Sequence, residues 1–123
     1  MDEPSTAKPR VLVVEDEYLI RTLLEDMLAD SGYAIAAAVG SLAGARAEAE
    51  RAAFDVAILD VNLDGEEVYP VADILATRDL PFVFITGYGQ ASLPENYRSR
   101  PALQKPFKAD HLKAVLKQLL AGV

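Results

Sequence analysis

The sequence contains no cysteine and a single histidine, His111. Disulfide bonds, thiol catalysis and cysteine-ligated zinc are therefore excluded, and one histidine does not make a histidine-based metal cluster. Positive charge is also scarce: the formal net charge is −7, which argues against a nucleic-acid-binding surface. No apolar run approaches the roughly 20 residues that a membrane-spanning helix needs. We therefore expect neither nucleic acid nor membrane as a partner.

The length and composition favour one folded domain. The chain has 123 residues, of which 51% are hydrophobic, and this is enough to bury a core. Residues 1–9 are polar, contain Pro4 and Pro9, and have no apolar core region. We expect them to form a flexible tail, not a signal peptide, ahead of a domain at residues 10–123, and we expect a cytoplasmic protein.

Short apolar runs alternate with helical patterns along the chain. All-apolar or β-branched runs predict strands at 11–14, 34–39, 56–60, 82–86 and 102–104. Apolar residues at helical spacing predict helices at about 19–28, 68–75 and 112–120, the first ending near Gly32. Ser41 is expected to cap a helix that runs to about Ala53. Residues 87–100 show no clean periodicity, so any helix there would be short and marginal.

This alternation predicts an α/β fold. Strands that are apolar throughout, without polar residues in between, are typical of a parallel sheet covered on both faces by helices. Right-handed crossovers then favour a doubly wound sheet. In such sheets, functional residues gather at the carboxyl ends of the strands.

Polar side chains stand at these predicted strand ends. Glu15 and Asp16 follow the first strand, Asp60 ends the third, and the fourth and fifth lead to Thr86 and Lys105. Neighbouring carboxylates repel one another, and a divalent cation relieves that repulsion. Mg²⁺ prefers oxygen ligands, so we expect a Mg²⁺ site with Lys105 near enough to pair with an anion.

Each residue also has a simpler interpretation. Acidic residues favour helix N-termini, which accounts for Glu17 and is an equal alternative for Glu15 and Asp16 taken alone. Thr86 suits a strand by its propensity, and Lys105 precedes a proline that enters a loop. The coincidence of all of them at strand ends favours a shared site.

Four segments together resemble the receiver domain of bacterial response regulators. These are VLVVEDE at 11–17, ILDVNL at 58–63, FITGY at 84–88 and KPF at 105–107. The resemblance spans about residues 10–120 and implies a flavodoxin-like sheet of five strands in the order 2-1-3-4-5. The segments FITGY and DVNLDGE, at 60–66, further resemble the FATGUY subgroup, which is associated with HWE-type sensor histidine kinases.

The resemblance implies a role for each site residue. Asp60 would be the phosphoacceptor. Asp16 and Asp60 would bind Mg²⁺ directly, Glu15 through water and Asn62 through its backbone carbonyl. Lys105 would pair with one phosphoryl oxygen, and Thr86 would hydrogen-bond another. The domain would take its phosphoryl group from a sensor histidine kinase and signal through a protein contact.

The same resemblance implies an organisation. We expect a stand-alone receiver, monomeric or weakly dimeric, since no output domain follows Val123 in the sequence. Its downstream partner is not predicted, and it would act as a signalling domain, not as an enzyme. At most it would phosphorylate itself from small donors and dephosphorylate slowly.

Two positions depart from the usual receiver pattern. Ala102 stands where an aromatic residue is common, so a rotating ring on the fifth strand is not available. Lys108 stands where a capping residue is common before the last helix, at a cost of about 1 kcal/mol. The expected switch is Thr86, Gly87 and Tyr88. With no apolar stripe to hold residues 87–100 on the core, phosphorylation would order that segment and relocate Tyr88, unless Tyr88 is merely an exposed loop residue.

Two alternatives remain open on the sequence. Some phosphatases of a related fold use an aspartate nucleophile, with a second aspartate two residues later as the general acid. Asn62 occupies that second position and does not act as an acid. The other alternative is a degenerate receiver that only binds proteins, which the complete set of pocket residues disfavours.

Overall fold

A five-stranded parallel sheet forms the centre of the protein. The computed structural model describes residues 8–51 and 53–122. The strands are β1 (Arg10–Val14), β2 (Ala34–Val39), β3 (Val56–Asp60), β4 (Phe82–Thr86) and β5 (Ala102–Gln104). Their order in the sheet is β2-β1-β3-β4-β5, and every neighbouring pair is parallel. The predicted fold and strand order are therefore confirmed.

Four α-helices connect or follow the strands: α1 (Tyr18–Asp30), α2 (Leu42–Arg51), α3 (Tyr69–Thr77) and α4 (Ala109–Leu120). The backbone leaves α1 through Gly32, whose φ of 91° suits glycine. The Ser41 hydroxyl caps the start of α2 by accepting a hydrogen bond from Gly44 N at 3.1 Å. Lys108 precedes α4 and makes no side-chain cap, as predicted.

The described part of the second helix runs to Arg51, and Ala53 lies outside any helix, so the helix stops before the predicted end at about Ala53. The carbonyl of Ala53 accepts a hydrogen bond from Arg10 Nε at 3.1 Å, so the chain has already turned back towards β1 at that point. Ala52 lies outside the described residues.

The sheet separates two apolar layers. Alternate residues of the central strands point to opposite faces, and both faces are buried, which explains why these strands are apolar throughout. Helices α2 and α3 cover one face, and α1 and α4 cover the other. The first layer includes Leu12, Val14, Ala57, Leu59, Phe82 and Phe84, and the second includes Val11, Val13, Val56, Ile58, Val83 and Ile85.

The fourth connection contains no α-helix. Residues 87–100 form two 3-10 turns, Gln90–Ser92 and Glu95–Tyr97, as the missing periodicity indicated. The segment carries no continuous apolar stripe, as predicted, but two isolated side chains on either side of Pro94 hold it on the core: Leu93 is 1% exposed and Tyr97 is 5% exposed. Most of the other residues of the segment are exposed.

A short hairpin after β3 was not predicted. Asn62–Leu63 pairs antiparallel with Glu66–Glu67. The two turn residues, Asp64 and Gly65, have φ values of 53° and 89°. Positive φ at both positions is the geometry that an Asp-Gly pair favours in a tight hairpin, so the dipeptide itself was the available signal.

The predicted N-terminal tail, residues 1–9, lies mostly outside the described residues. Within it, the carbonyl of Pro9 accepts a hydrogen bond from Ala34 N at 2.9 Å, which extends the pairing of β1 with β2. Among residues 8–51 and 53–122, no helix is both long enough and apolar enough to cross a membrane.

Candidate functional site

The predicted site residues meet at the carboxyl edge of the sheet. Glu15 and Asp16 follow β1, and Asp60 is the last residue of β3. One carboxylate oxygen from each of these three residues lies within 4.8 Å of the others. Asp16 and Asp60 border an open cavity of about 430 Å³, whose lining also includes Asn62, Tyr88 and Lys105.

Asp60 is held at the floor of this cavity. The residue is 4% exposed. Its Oδ1 accepts a hydrogen bond from Asn62 N at 3.3 Å, and its Oδ2 accepts one from Lys105 Nζ at 3.3 Å. Burial raises the pKa of Asp60, and the neighbouring ammonium group works in the opposite direction.

Glu15 is fully buried and incompletely satisfied. Its Oε2 accepts a hydrogen bond from Glu17 N at 3.0 Å. Its Oε1 lies 3.3 Å from Lys105 Nζ but accepts no hydrogen bond from the described residues. Burial raises the pKa of Glu15 to about 7, with a further contribution from Asp60. A buried oxygen without a hydrogen bond, beside two more carboxylates, is a donor set that fits a hard cation such as Mg²⁺.

Asp16 and Asn62 tie the site to the hairpin. Asp16 Oδ2 accepts a hydrogen bond from Asp64 N at 3.0 Å. The side-chain oxygen of Asn62 accepts one from Gly65 N at 2.7 Å. The amide oxygen of Asn62 is thus engaged within the turn, and the predicted role of this residue concerns its backbone carbonyl.

The predicted switch residues lie at the end of β4. Thr86 is 2% exposed, and its Oγ1 accepts a hydrogen bond from Tyr88 N at 3.1 Å. The Thr86 hydroxyl donates its proton to none of the described residues, which leaves the proton available to a further acceptor. Gly87 is exposed, and the Tyr88 side chain is 87% exposed. The backbone of Tyr88 therefore contacts Thr86 while its ring lies in solvent.

Lys105 supplies the positive charge of the cavity. Its Nζ lies 3.3 Å from both Glu15 and Asp60, and its backbone N donates to Thr86 O at 2.9 Å. Burial opposes the charged form, but Asp60 and Glu15 outweigh it and raise the pKa of Lys105. The peptide bond between Lys105 and Pro106 is cis.

Two residues that line the cavity, Glu17 and Asp64, were not predicted as site residues. Glu17 was interpreted only as a solvated residue before α1. Its carboxylate makes no side-chain cap with that helix and instead lies 3.7 Å from Lys105 Nζ. Its position two residues after Glu15, in an acidic run, was the only signal in the sequence.

Comparisons with known proteins agree with this geometry. The family model of the response regulator receiver domain matches residues 11–117. The transcriptional regulatory protein PdtaR of Mycobacterium tuberculosis is 34% identical over 115 residues, which cover 90% of this chain and 56% of PdtaR. The chain thus spans about half the length of this curated relative.

Two solved structures are also similar. SdrG from Sphingomonas melonis Fr1 superposes with a TM-score of 0.81 at 46% identity, covering 92% of this chain and 97% of SdrG. The receiver domain of the sensor histidine kinase PA1611 from Pseudomonas aeruginosa PAO1 has a magnesium ion in its active-site cleft. It superposes with a TM-score of 0.77 at 25% identity, covering 94% of this chain and 99% of that domain.

Proposed function

Because the chain belongs to the response regulator receiver family, we propose that it accepts a phosphoryl group on Asp60 in a two-component phosphorelay. The observation that carries the proposal is the setting of Asp60. It ends a buried strand, borders an open cavity and lies 3.3 Å from the Lys105 ammonium group. Receiver domains are signalling domains and not conventional enzymes, and the proposed chemistry is correspondingly simple.

The chain's own residues suit phosphoryl transfer. The transition state is loose, so catalysis consists mainly of positioning and charge neutralisation. The Asp60 carboxylate would act as the nucleophile and form an acyl phosphate. Lys105 would pair with a phosphoryl oxygen, and the Thr86 hydroxyl would donate to another.

Receiver domains bind Mg²⁺ in the acidic pocket. Here Asp16 and Asp60 would bind the ion directly, Glu15 through water and Asn62 through its backbone carbonyl. The unsatisfied Oε1 of buried Glu15 supports this assignment. A bound ion would neutralise the negative charge that the carboxylates and the phosphoryl group share.

The partners follow from the same proposal. A sensor histidine kinase of the HWE type, with which the FATGUY subgroup is associated, would supply the phosphoryl group, and an unidentified protein would receive the signal. We infer a cytoplasmic receiver that is monomeric or weakly dimeric.

We further propose that Thr86, Gly87 and Tyr88 form the switch. The Thr86 hydroxyl oxygen accepts a hydrogen bond from the backbone N of Tyr88 at 3.1 Å. A new acceptor for the hydroxyl proton would therefore alter this contact with Tyr88. The exposed Tyr88 ring is free to change its surroundings without unpacking the core.

Phosphorylation of Asp60 is tested with acetyl phosphate and Mg²⁺. Intact mass spectrometry should show one added phosphoryl group in the natural protein, none in Asp60→Asn, and strongly reduced labelling in Asp16→Ala. Asp55→Asn is the matched control, because Asp55 is exposed and precedes the opposite end of β3. Undiminished labelling of Asp60→Asn would show that the acceptor is another residue.

A further inference from the structure

Glu17 holds an unusual place in the cavity. Its carboxylate lies 3.7 Å from Lys105 Nζ, the one lysine or arginine among the described residues that lines the cavity. Its backbone N donates to Glu15 Oε2 at 3.0 Å, which fixes its position relative to the pocket. Its side chain is 63% exposed and also lines the cavity.

Glu17 differs from Glu15, Asp16 and Asp60 in what could neutralise it. Those three residues form the donor set that fits a cation. Among the described residues, Glu17 pairs with Lys105 alone, and the phosphoryl group needs the same ammonium group. An incoming phosphodonor therefore meets a negative charge at the entrance and displaces Glu17 from its partner.

We propose that Glu17 selects phosphodonors by their charge, disfavouring small dianionic donors at the Asp60 pocket. This inference rests on the proposed function of Asp60. A donor presented by a protein partner gains binding energy from its docking surface and overcomes the repulsion. A free small dianion has no such compensation, so Glu17 protects the domain against phosphorylation that does not come from a partner.

Two small donors differ in charge but deliver the same group. With acetyl phosphate, a dianion, an Asp60 oxygen forms a bond to phosphorus as the bond from phosphorus to the acyl oxygen breaks, and acetate leaves. With phosphoramidate, a monoanion in its N-protonated form, the phosphorus–nitrogen bond breaks and ammonia leaves with its proton already in place. Both reactions yield the same aspartyl phosphate.

The test compares initial phosphorylation rates of the natural protein and Glu17→Gln with both donors, at saturating Mg²⁺ for each variant. The Coulomb energy scales with donor charge, so we expect Glu17→Gln to react about fivefold faster with acetyl phosphate and about twofold faster with phosphoramidate. The ratio of the acetyl phosphate rate to the phosphoramidate rate should therefore be about twofold to threefold higher in Glu17→Gln than in the natural protein. High salt should shrink this difference, because the side chain is largely exposed.

Glu50→Gln is the matched control, since Glu50 is an exposed residue of α2 that does not line this cavity. It should leave the ratio unchanged. An unchanged ratio in Glu17→Gln, or an equal rise in Glu50→Gln, overturns the inference while leaving the role of Asp60 intact. Absence of Asp60 labelling in every protein overturns the proposed function itself.

A second measurement does not depend on turnover. Inorganic phosphate is titrated into the metal-free protein, and the amide signals of Gly87 and Tyr88 are followed by NMR. Glu17→Gln should bind phosphate about fivefold more tightly than the natural protein. Equal affinities would contradict a charge barrier at the cavity entrance.

Discussion

Tyr97 joins the connecting segment to the core. Its ring centroid lies 5.5 Å from that of Phe84 and 6.0 Å from that of Tyr69. Its hydroxyl donates a hydrogen bond to the carboxylate of Asp73 on α3. Ala102, paired with Phe84 across the strands, packs against the same apolar layer. The Tyr97 ring therefore belongs to the same apolar layer as Phe84, and Ala102, the small residue of β5, packs against this layer.

Tyr97→Phe should lower the free energy of unfolding by about 1–2 kcal/mol, because it removes one hydrogen bond to a charged group but keeps the ring. Tyr97→Ala should cost about 3–5 kcal/mol, as expected for loss of a buried aromatic ring. Urea unfolding followed by circular dichroism measures both. Tyr18→Phe is the control, since Tyr18 is 68% exposed. If Tyr18→Phe lowered the free energy of unfolding as much as Tyr97→Phe, that result would contradict a special role for the contact with Asp73.

Tyr97 also predicts a pH dependence. Burial, followed by the hydrogen bond to Asp73, raises its pKa from 10.0 to about 12. A raised pKa in the folded state means that its stabilisation is complete below pH 10 and is lost as the pH rises towards 12. In a pH titration, the tyrosinate absorbance of the natural protein should show a step at a pH of about 12 that Tyr97→Phe lacks. The same titration curve in both proteins would argue against this assignment.

The segment at 87–100 is anchored at one end and loose at the other. Leu93 and Tyr97 are buried, while Gly87 and Tyr88 are exposed. Gln90 Nε2 donates to the carbonyls of Arg98 and Arg100 at 2.7 and 2.8 Å, which closes the segment on itself. Motion on phosphorylation is therefore expected mainly before Leu93.

Beryllofluoride, which mimics the aspartyl phosphate, should change hydrogen exchange most at residues 87–92. The amides near Tyr97 should stay protected in both states, because their anchors do not face the cavity. Asp60→Asn should show no change, since it lacks the carboxylate that the mimic needs. If residues 87–92 exchange equally in both states while another surface responds, the switch lies elsewhere.

The folded domain as one unit carries an electrostatic strain at its acidic edge. Three carboxylates approach within 4.8 Å, and folding brings them together from separate parts of the chain. A ligand that binds only the folded state stabilises it by mass action. Millimolar Mg²⁺ should therefore raise the melting temperature.

Asp16→Asn should raise the melting temperature of the metal-free protein by about 3–5 °C for each 1 kcal/mol of repulsion relieved. It should also blunt the response to Mg²⁺. The asparagine retains an oxygen that accepts the hydrogen bond from Asp64 N. Asp26→Asn, at an exposed position of α1, is the control and should respond to Mg²⁺ like the natural protein. An undiminished Mg²⁺ response in Asp16→Asn would remove Asp16 from the proposed ligands.

Most of the architecture was available from local patterns. Buried parallel strands need apolar side chains on both faces, so apolar runs such as 11–14 and 82–86 could be predicted as strands. The positions of Glu15, Asp60 and Thr86 at strand ends then followed, because parallel strands place these ends at one edge. The hairpin at Asp64 and Gly65 was missed because its strands are only two residues each and carry no periodicity.

Contacts between distant segments were not available in this way. The burial of Tyr97 depends on Phe84 and Asp73, which belong to other elements, and no spacing within residues 87–100 reveals it. The pairing of Glu17 with Lys105 likewise depends on β1 and β5 ending at the same edge, with side chains long enough to meet. The strands and the polar residues at their ends follow from periodicity and chain direction, which are local properties, whereas the strand order was implied by the family resemblance. Ion pairs and core contacts between side chains depend on distances that are set only once the sheet and helices have packed.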